Sequence, residues 1–125
     1  MKTVEHFMTR YPHSVRAGES LTAAHELMKR VNCHHLPVMD AGKLVGIISD
    51  RDIRLVKNAD LKNVKVEDVC VEEPLLVDVD TTVAAAAAIM AERRVSSVLV
   101  TEDGKLAGIF TSTDACRALA ELAPL

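Results

Sequence analysis

Aromatic residues are scarce in this chain, which has no tryptophan, one tyrosine and two phenylalanines among 125 residues. It also lacks an excess of positive charge, since 15 Lys and Arg stand against 18 Asp and Glu, a formal net charge of −3. Duplex nucleic acid is bound by a basic face, and single strands are bound on aromatic stacking platforms. The composition therefore argues against nucleic acid as a partner.

Long apolar runs are absent as well. The longest candidate, residues 83–91, is mostly alanine, and it is far shorter than the roughly 20 apolar residues of a membrane-spanning helix. Residues 1–6 contain an acid and a histidine where a signal peptide has its apolar stretch. We therefore expect a soluble protein of the cytoplasm with no membrane partner.

Cysteine is represented only by Cys33, Cys70 and Cys116. They are an odd number, widely spaced, and they form no C-x-x-C pair of the kind that marks a zinc site or a redox motif. We therefore predict reduced thiols and no metal. Hydrophobic residues, by contrast, make up 49% of the chain, which is enough for a core and excludes a disordered protein.

The chain contains an internal duplication. Residues 4–56 align with residues 66–118 at a constant offset of 62 without a gap, and 14 of the 53 pairs are identical. Two copies are too few for a solenoid, which needs about three, so we expect two units packed face to face. The predicted boundaries are 1–57 for the first unit, 58–65 for a linker and 66–125 for the second unit.

Each copy has the pattern of a β-α-β-β-α unit, which is an α+β fold. In the second copy Leu75, Val77 and Val79 alternate with polar or outward residues, as in a half-buried strand. The same register in the first copy predicts that the side chains of His13, Val15 and Ala17 point inward. Ser20 and Thr82 are predicted N-caps of the long helices, and Gly42 and Gly104 are predicted to allow positive φ in hairpin turns.

A hydroxyl and a carboxylate recur three residues apart, as Ser49 and Asp52 and again as Thr111 and Asp114. At a strand-to-helix junction this spacing is typical of a capping box, which stabilises a helix by about 1 kcal/mol. The same geometry suits a ligand, because a helix N-terminus favours a phosphate. A carboxylate there is also able to accept from both hydroxyls of a ribose. The two roles are compatible, and both stay open.

Three strings resemble the CBS domain, named after cystathionine β-synthase. They are LPVMD at 36–40, GKLVGIISDRD at 42–52 and GKLAGIFTSTD at 104–114. Tandem CBS units form a pseudo-symmetric pair, the Bateman module, and bind AMP, ADP, ATP, NAD or S-adenosylmethionine in the cleft between the units. The resemblance implies a regulatory module that requires no cofactor and takes an adenine nucleotide or a related adenosine derivative as its ligand.

By this resemblance, Asp52 and Asp114 hold the ribose. The residues implied to face ribose or phosphate beside them are Ser49, Arg51, Thr111 and Thr113. The opposite wall is implied to consist of His13, Cys33, His34 and His35 in the first copy and of Leu75, Val95, Ser96 and Ser97 in the second. The second copy departs from the family pattern at Leu99, which matches Pro37, and at Cys70, which matches Met8.

The histidines have more than one interpretation. Adjacent strand residues point to opposite faces, so only one of His34 and His35 faces the cleft; we expect His34 there and His35 in solvent. His13 is either a core-edge residue or a pocket residue. A metal site formed by His13, Cys33 and His34 is chemically feasible, but nothing in the spacing demands it.

Charge distinguishes the two copies. Residues 1–62 carry a net charge of +3 and all five histidines, whereas residues 63–125 carry −6. We therefore expect phosphates to lie towards Arg51 and His34, with Arg10 or Lys43 as further candidates, and away from Glu72 and Glu73. The hypothesis that follows is that the Asp52 cleft binds more tightly than the Asp114 cleft, although Arg93 and Arg94 add local positive charge to the second copy.

Two function classes are compatible with these patterns. The first is a regulatory module that senses an adenosine-containing ligand and signals to an unidentified effector protein. The second is a ligand-free structural or dimerisation module whose hydroxyl–carboxylate boxes act only as caps. An enzyme is not expected, because the sequence shows no G-x-S-x-G elbow and no glycine-rich phosphate loop. The alanines at 84–88 allow close helix approach, and the resemblance implies a homodimer.

Overall fold

A computed structural model describes residues 2–123. In chain order the first copy contains, after a 3-10 turn at Val4–His6, β1 (Thr9–Arg10), β2 (Val15–Arg16), α1 (Leu21–Val31), β3 (His35–Asp40), β4 (Lys43–Ser49) and α2 (Asp50–Arg54). After a second 3-10 turn at Asn58–Asp60 follow α3 (Val66–Val69), β5 (Val71–Glu72), β6 (Leu76–Asp78), α4 (Val83–Arg93), β7 (Ser97–Glu102), β8 (Lys105–Thr111) and α5 (Ser112–Leu122). Each copy therefore contains the predicted β-α-β-β-α order, as β2-α1-β3-β4-α2 and as β6-α4-β7-β8-α5, and each has a two-residue strand before it that was not predicted.

The strands form two four-stranded sheets with corresponding topologies. One sheet has the order β2-β3-β4-β5 and the other the order β1-β8-β7-β6. In each, an antiparallel hairpin forms the centre, β2 or β6 pairs with it in parallel, and the two-residue strand β5 or β1 closes the other edge. The α+β class expected from the sequence is confirmed.

The two compact units do not coincide with the two sequence copies. One unit contains residues 13–74, and the other contains residues 2–12 together with 75–123. The leading segment of each copy therefore packs in the unit built mainly from the other copy. The boundaries expected at 1–57, 58–65 and 66–125 follow the sequence repeat, and they stay a prediction as a division into domains.

Each unit has its own hydrophobic core, and the exchange of leading segments reaches into both cores. Val4 is fully buried in the unit that contains α4, whereas its counterpart Val66 is fully buried in the unit that contains α1. The large side chains that anchor the cores are Phe110, Val98 and Val100 in one unit and Leu21, Leu36 and Ile48 in the other. Since leading segments contribute buried valines, they are part of each fold and not appendages.

Local chemistry explains where the long helices begin. The Ser20 hydroxyl accepts a hydrogen bond from the Ala23 amide at 3.1 Å, and the Thr82 hydroxyl accepts one from the Ala85 amide at the same distance. These contacts satisfy amides that have no partner within the helix. Both predicted N-caps are confirmed. Gly42 and Gly104 have φ of 79° and 78°, so the predicted hairpin conformation is also present.

The predicted strand register is confirmed except at one residue. Val77 is buried between half-buried Leu75 and Val79, and Val15 and Ala17 are buried in the other unit. His13, however, is exposed, so the expectation that it points inward is wrong. The reason is that β2 begins only at Val15, and the alternation of a strand does not extend to residues before it.

Candidate functional site

Each unit brings the start of one central strand to the end of its hairpin partner. In the unit of residues 13–74, His35 lies opposite Ser49 in the antiparallel ladder, and the Asp50 amide donates to the His34 carbonyl at 3.0 Å. In the other unit, Ser97 lies opposite Thr111, and the Ser112 amide donates to the Ser96 carbonyl at 2.9 Å. Residues far apart in sequence thereby meet at one end of each central hairpin.

The first carboxylate, that of Asp52, lies in a capping box that uses only one of its two oxygens. The Ser49 amide donates to Asp52 Oδ2 at 2.9 Å, and the Asp52 amide donates to Ser49 Oγ at 3.2 Å. Asp52 is half-buried, and among the described residues of its own unit, 13–74, its Oδ1 accepts no hydrogen bond. A ligand hydroxyl that reached this corner would therefore find a carboxylate oxygen without a partner in the unit.

The second carboxylate lies in the same box but is more fully engaged. Asp114 Oδ2 accepts from the Thr111 amide at 2.9 Å and from the Thr111 hydroxyl at 3.1 Å. Asp114 Oδ1 lies 3.4 Å from Nη1 of Arg117, and the Asp114 side chain is only 6% exposed. Both oxygens of this carboxylate therefore have partners within the unit.

His34 is held beside the first box by Asp50. Its Nδ1 lies 3.1 Å from Asp50 Oδ2, and the other Asp50 oxygen lies 3.8 Å from Nη2 of Arg54. The His34 side chain is 70% exposed, so it faces solvent while one nitrogen contacts the carboxylate. Asp50 is not among the residues predicted from the sequence, because its contact with His34 depends on strand pairing and not on spacing.

His35 occupies a different environment from its neighbour. Burial lowers its pKa by disfavouring the charged imidazolium, Asp50 and Asp52 oppose this effect, and His34 adds to it. Because His35 is half-buried, the interpretation of it as a solvated side chain is wrong. Because it is half-buried and pairs with Ser49 in the ladder, His35 is added to the candidate site residues.

Two cysteines lie near the first box as protonated thiols. Burial raises the pKa of Cys33, opposed by a backbone hydrogen bond at His35. Burial also raises the pKa of Cys70, and the negative charges of Glu72, Asp52 and Glu67 add to the shift. A thiol with a raised pKa is a poor nucleophile and a poor metal ligand at neutral pH. The sequence marks Cys70 only as a departure from the family pattern, because local spacing does not reveal its proximity to Asp52.

The remaining candidates differ in their exposure. Arg51, Thr113, Val95 and Ser96 are exposed, whereas Leu75, Ser97 and Cys33 are half-buried. The Leu75 carbonyl accepts from the Leu99 amide at 3.0 Å, so Leu75 lies beside β7 in the unit of the second box. His13 is exposed just before β2, which runs parallel to β3.

Two of the basic residues suggested for phosphate binding lie elsewhere. Arg10 is ion-paired with Glu5 and belongs to β1, in the unit that holds Asp114. Lys43 begins β4 at the hairpin turn, whereas Ser49 ends it, so the strand separates them by roughly 20 Å. Lys43 is therefore too distant to serve the Asp52 box and that suggestion is wrong, whereas the suggestion of Arg10 stays a prediction.

The charge difference between the sequence copies largely disappears in the compact units. Residues 13–74 hold nine basic and ten acidic side chains, a net charge of −1, and the remaining residues carry −2. The exchanged segments account for this, because the one that joins the Asp52 unit brings Glu67, Asp68, Glu72 and Glu73. Any preference for the Asp52 box must therefore come from local contacts and not from net charge.

Neither a metal centre nor a membrane span is found in the described residues. Across residues 2–123 no group of three His, Cys, Asp or Glu side chains is arranged to hold a metal ion. None of the helices in the same range is long and apolar enough to cross a membrane.

Comparison with known proteins gives the architecture a family. The model of the CBS domain matches twice, at residues 4–58 and 66–121. This chain belongs to the CBS domain family. The two matches follow the sequence duplication, and together they cover nearly all of the chain, so the resemblance inferred from the three strings is confirmed.

Solved CBS structures agree with this one over almost their whole length. CBSX2 of Arabidopsis thaliana, solved in complex with AMP, has 29% identity and a TM-score of 0.84, covering 99% of this chain and 100% of that chain. The CBS domain pair of protein MJ0100, solved in complex with 5-methylthioadenosine and S-adenosyl-L-methionine, has 29% identity and a TM-score of 0.86, covering 97% and 98%.

Curated relatives place the same CBS region inside longer enzymes. The inosine-5'-monophosphate dehydrogenase of Korarchaeum cryptofilum is 32% identical over 115 residues, which are 91% of this chain and 24% of that protein. The chain thus spans about a quarter of the length of this relative. The match concerns the CBS region, and no catalytic domain is part of it.

Proposed function

We propose that this chain is a regulatory module that binds an adenosine-containing small molecule at the Ser49–Asp52 box. The observation that carries the proposal is Asp52 Oδ1, a carboxylate oxygen in a half-buried side chain that no described residue of its unit, 13–74, engages. Two CBS-pair structures with 29% identity hold AMP or methylthioadenosine and S-adenosylmethionine. These ligands share a nucleoside whose sugar carries hydroxyl groups. A sugar hydroxyl is a suitable hydrogen-bond donor for a carboxylate oxygen that has no partner within the unit.

In the proposed complex, different residues at the Ser49–Asp52 box contact different parts of the ligand. Asp52 accepts from the ribose hydroxyls through Oδ1, in charge-assisted hydrogen bonds that are stronger than neutral ones. Arg51 and His34 are exposed, and they supply positive or hydrogen-bonding groups for a phosphate or a carboxylate. His13 and Cys33 line the approach. In the other unit the corresponding positions of the sequence repeat, which are not assigned a ligand in this proposal, are Asp114, Thr111, Thr113, Leu75, Val95 and Ser96.

In this proposal, occupancy of the site is the signal and another protein is its receiver. The CBS domain supplies binding without a catalytic group of its own, so the ligand acts as an effector and not as a substrate. The receiving protein is unidentified. Because the proposed ligands are metabolites of the cell interior, the proposal includes a cytoplasmic location.

The first prediction concerns Asp52. AMP, ADP, ATP, NAD and S-adenosylmethionine are each tested for a shift in melting temperature, and the ligand that binds is then titrated calorimetrically into Asp52→Ala. Ligand at about 100 times its dissociation constant stabilises by about 2.7 kcal/mol, a shift of several degrees. Loss of the charged acceptor weakens binding by roughly tenfold or more, since such hydrogen bonds contribute about 1.5–3 kcal/mol.

Asp68→Ala is the matched control for that experiment. Asp68 Oδ2 accepts from the Lys65 amide at 3.2 Å, so it caps α3 in the same way and in the same unit. Both variants lose a helix cap, but only Asp52→Ala is expected to lose the ligand. Equal affinity in the two variants would contradict the proposed role of Asp52.

A second function, self-association, is favoured by a groove in the unit that contains Asp114. The groove has a volume of about 550 Å³ and lies between α4 and α5. Its apolar walls include Ala84, Ala87, Leu119 and Leu122, and both leucines are well exposed. Because alanine removes bulk from α4, a second helix is able to approach closely. We propose a second copy of this chain as the occupant, giving a homodimer.

The second prediction tests this homodimer. Leu119→Glu introduces a charge into the groove and is expected to produce a monomer in sedimentation velocity. The control Tyr11→Asn removes an 80% exposed aromatic side chain outside the groove and is expected to leave the dimer intact. Cys116 is exposed and lines the groove, so its alkylation should slow as protein concentration rises. A wild-type monomer at all concentrations would exclude the dimer.

A further inference from the structure

The two hydroxyl–carboxylate boxes differ in one contact that the sequence repeat does not share. Asp114 Oδ1 lies 3.4 Å from the Arg117 guanidinium, whose side chain is 61% exposed. At the offset of 62, the counterpart of Arg117 is Leu55, which is 82% exposed and carries no charge. The two amide contacts of the box are the same in both copies, and among the contacts to Oδ1 this cation is the difference between them.

The lengths of the following helices reinforce the difference. Helix α5 continues to Leu122, so Arg117 lies one turn after Asp114 on a regular helix, where side chains three residues apart are neighbours. Helix α2 ends at Arg54, and Leu55 is its C-cap. The second copy therefore places the Arg117 guanidinium beside the Asp114 carboxylate. The first copy has no cation on a helix turn at the corresponding position after Asp52.

We propose that the Arg117 guanidinium occupies the Asp114 oxygen that a ligand would need. The chain then binds one adenosine ligand through Asp52 and none through Asp114. This inference rests on the proposed function and names a residue that determines its stoichiometry. The Asp114 carboxylate is 6% exposed, and both of its oxygens already have partners. A sugar hydroxyl has to displace the guanidinium to reach Oδ1, whereas no described residue of 13–74 has to be displaced from Asp52 Oδ1.

The test is a calorimetric titration of AMP and, in parallel, of S-adenosylmethionine into the wild type and variants. The wild type is expected to bind about one ligand per chain, and Arg117→Leu, which installs the side chain of the first copy, about two. Arg117→Lys keeps the cation and is expected to keep one site. Asp52→Ala removes the wild-type site, and Asp114→Ala leaves it unchanged. Melting curves verify that each variant is folded.

The outcomes separate this inference from the proposed function. If the wild type binds neither ligand, both are overturned. Three results overturn the role of Arg117 alone: two sites in the wild type, a single site that is lost in Asp114→Ala and kept in Asp52→Ala, or weaker binding without a second site in Arg117→Leu. The last of these identifies Arg117 as a direct contact to the ligand.

Discussion

At the scale of single residues, Asp52 and Asp114 cap their helices in the same way. They differ in whether the second carboxylate oxygen has a partner within the unit. Each accepts from the amide at the start of its helix at 2.9 Å. Asp52 keeps one oxygen without a partner among the described residues of its unit, whereas Asp114 shares its second oxygen with Arg117. The three-residue spacing predicted both caps. It did not predict the Arg117 contact, which depends on how far the helix continues.

The third prediction, also at this scale, concerns His35 and pH. Burial lowers its pKa from the ordinary value of 6.5, so below pH 6.5 the unfolded chain takes up a proton more readily than the folded chain. The free energy of unfolding therefore increases as pH rises through this window. The contribution from neutral, buried His35 disappears again as pH falls. His35→Gln removes the titrating group and is expected to flatten this dependence.

Urea unfolding of wild type and His35→Gln from about pH 5 to about pH 8 measures the effect, because histidine titrates in this range. The negative charges of Asp50 and Asp52 oppose the lowering of the His35 pKa, whereas His34 adds to it. The histidine variant is expected to lose part of the slope below pH 6.5. Identical slopes in the two proteins would show that His35 does not couple stability to pH.

At the scale of elements, two glycines allow short edge strands to approach the central hairpins. A Cβ on Gly108 would lie 2.8 Å from the Thr9 carbonyl oxygen in β1, and a Cβ on Gly46 would lie 2.7 Å from the Val71 carbonyl oxygen in β5. Backbone atoms are not free to move aside as the end of a side chain is. The identity of these glycines in the sequence repeat therefore has a steric cause.

The fourth prediction follows from that contact. Gly108→Ala is expected to reduce the free energy of unfolding by about 1–3 kcal/mol, the usual cost of overpacking. Gly18→Ala is the control, because a Cβ there meets nothing within 4 Å and its φ is ordinary, so it should be neutral or slightly stabilising. Denaturant unfolding compares the two. Equal stability of the two variants would exclude the steric account.

The central elements were predictable because their patterns are long enough to show a period. Helix α1 buries Leu21, Ala24 and Met28 at helical spacing, and the hairpin turns contain glycines at positive φ. The edge strands β1 and β5 were not predicted. Each has only two residues, too few to alternate, and their pairing is decided by the neighbouring sheet and not by their own sequence.

At the scale of the whole molecule, the exchange of leading segments alters which residues share a unit. Local sequence patterns do not specify which of the two cores receives residues 4–8 and 66–70. Val4 and Val66 are each buried in the unit formed mainly by the other copy. The exchange also brings four acidic residues to the Asp52 unit, which removes the net-charge argument that the linear sequence had suggested.

Recognition of a sugar diol by Asp52 underlies the proposed function of the molecule, and the affinity of the wild type for AMP against 2′-deoxy-AMP tests it. Removing the 2′-hydroxyl deprives the carboxylate of one donor while leaving base and phosphate unchanged. Calorimetry is expected to show weaker binding of the deoxy ligand by about 1–3 kcal/mol, roughly five- to 150-fold. Equal affinities for AMP and 2′-deoxy-AMP would contradict recognition of the diol by Asp52.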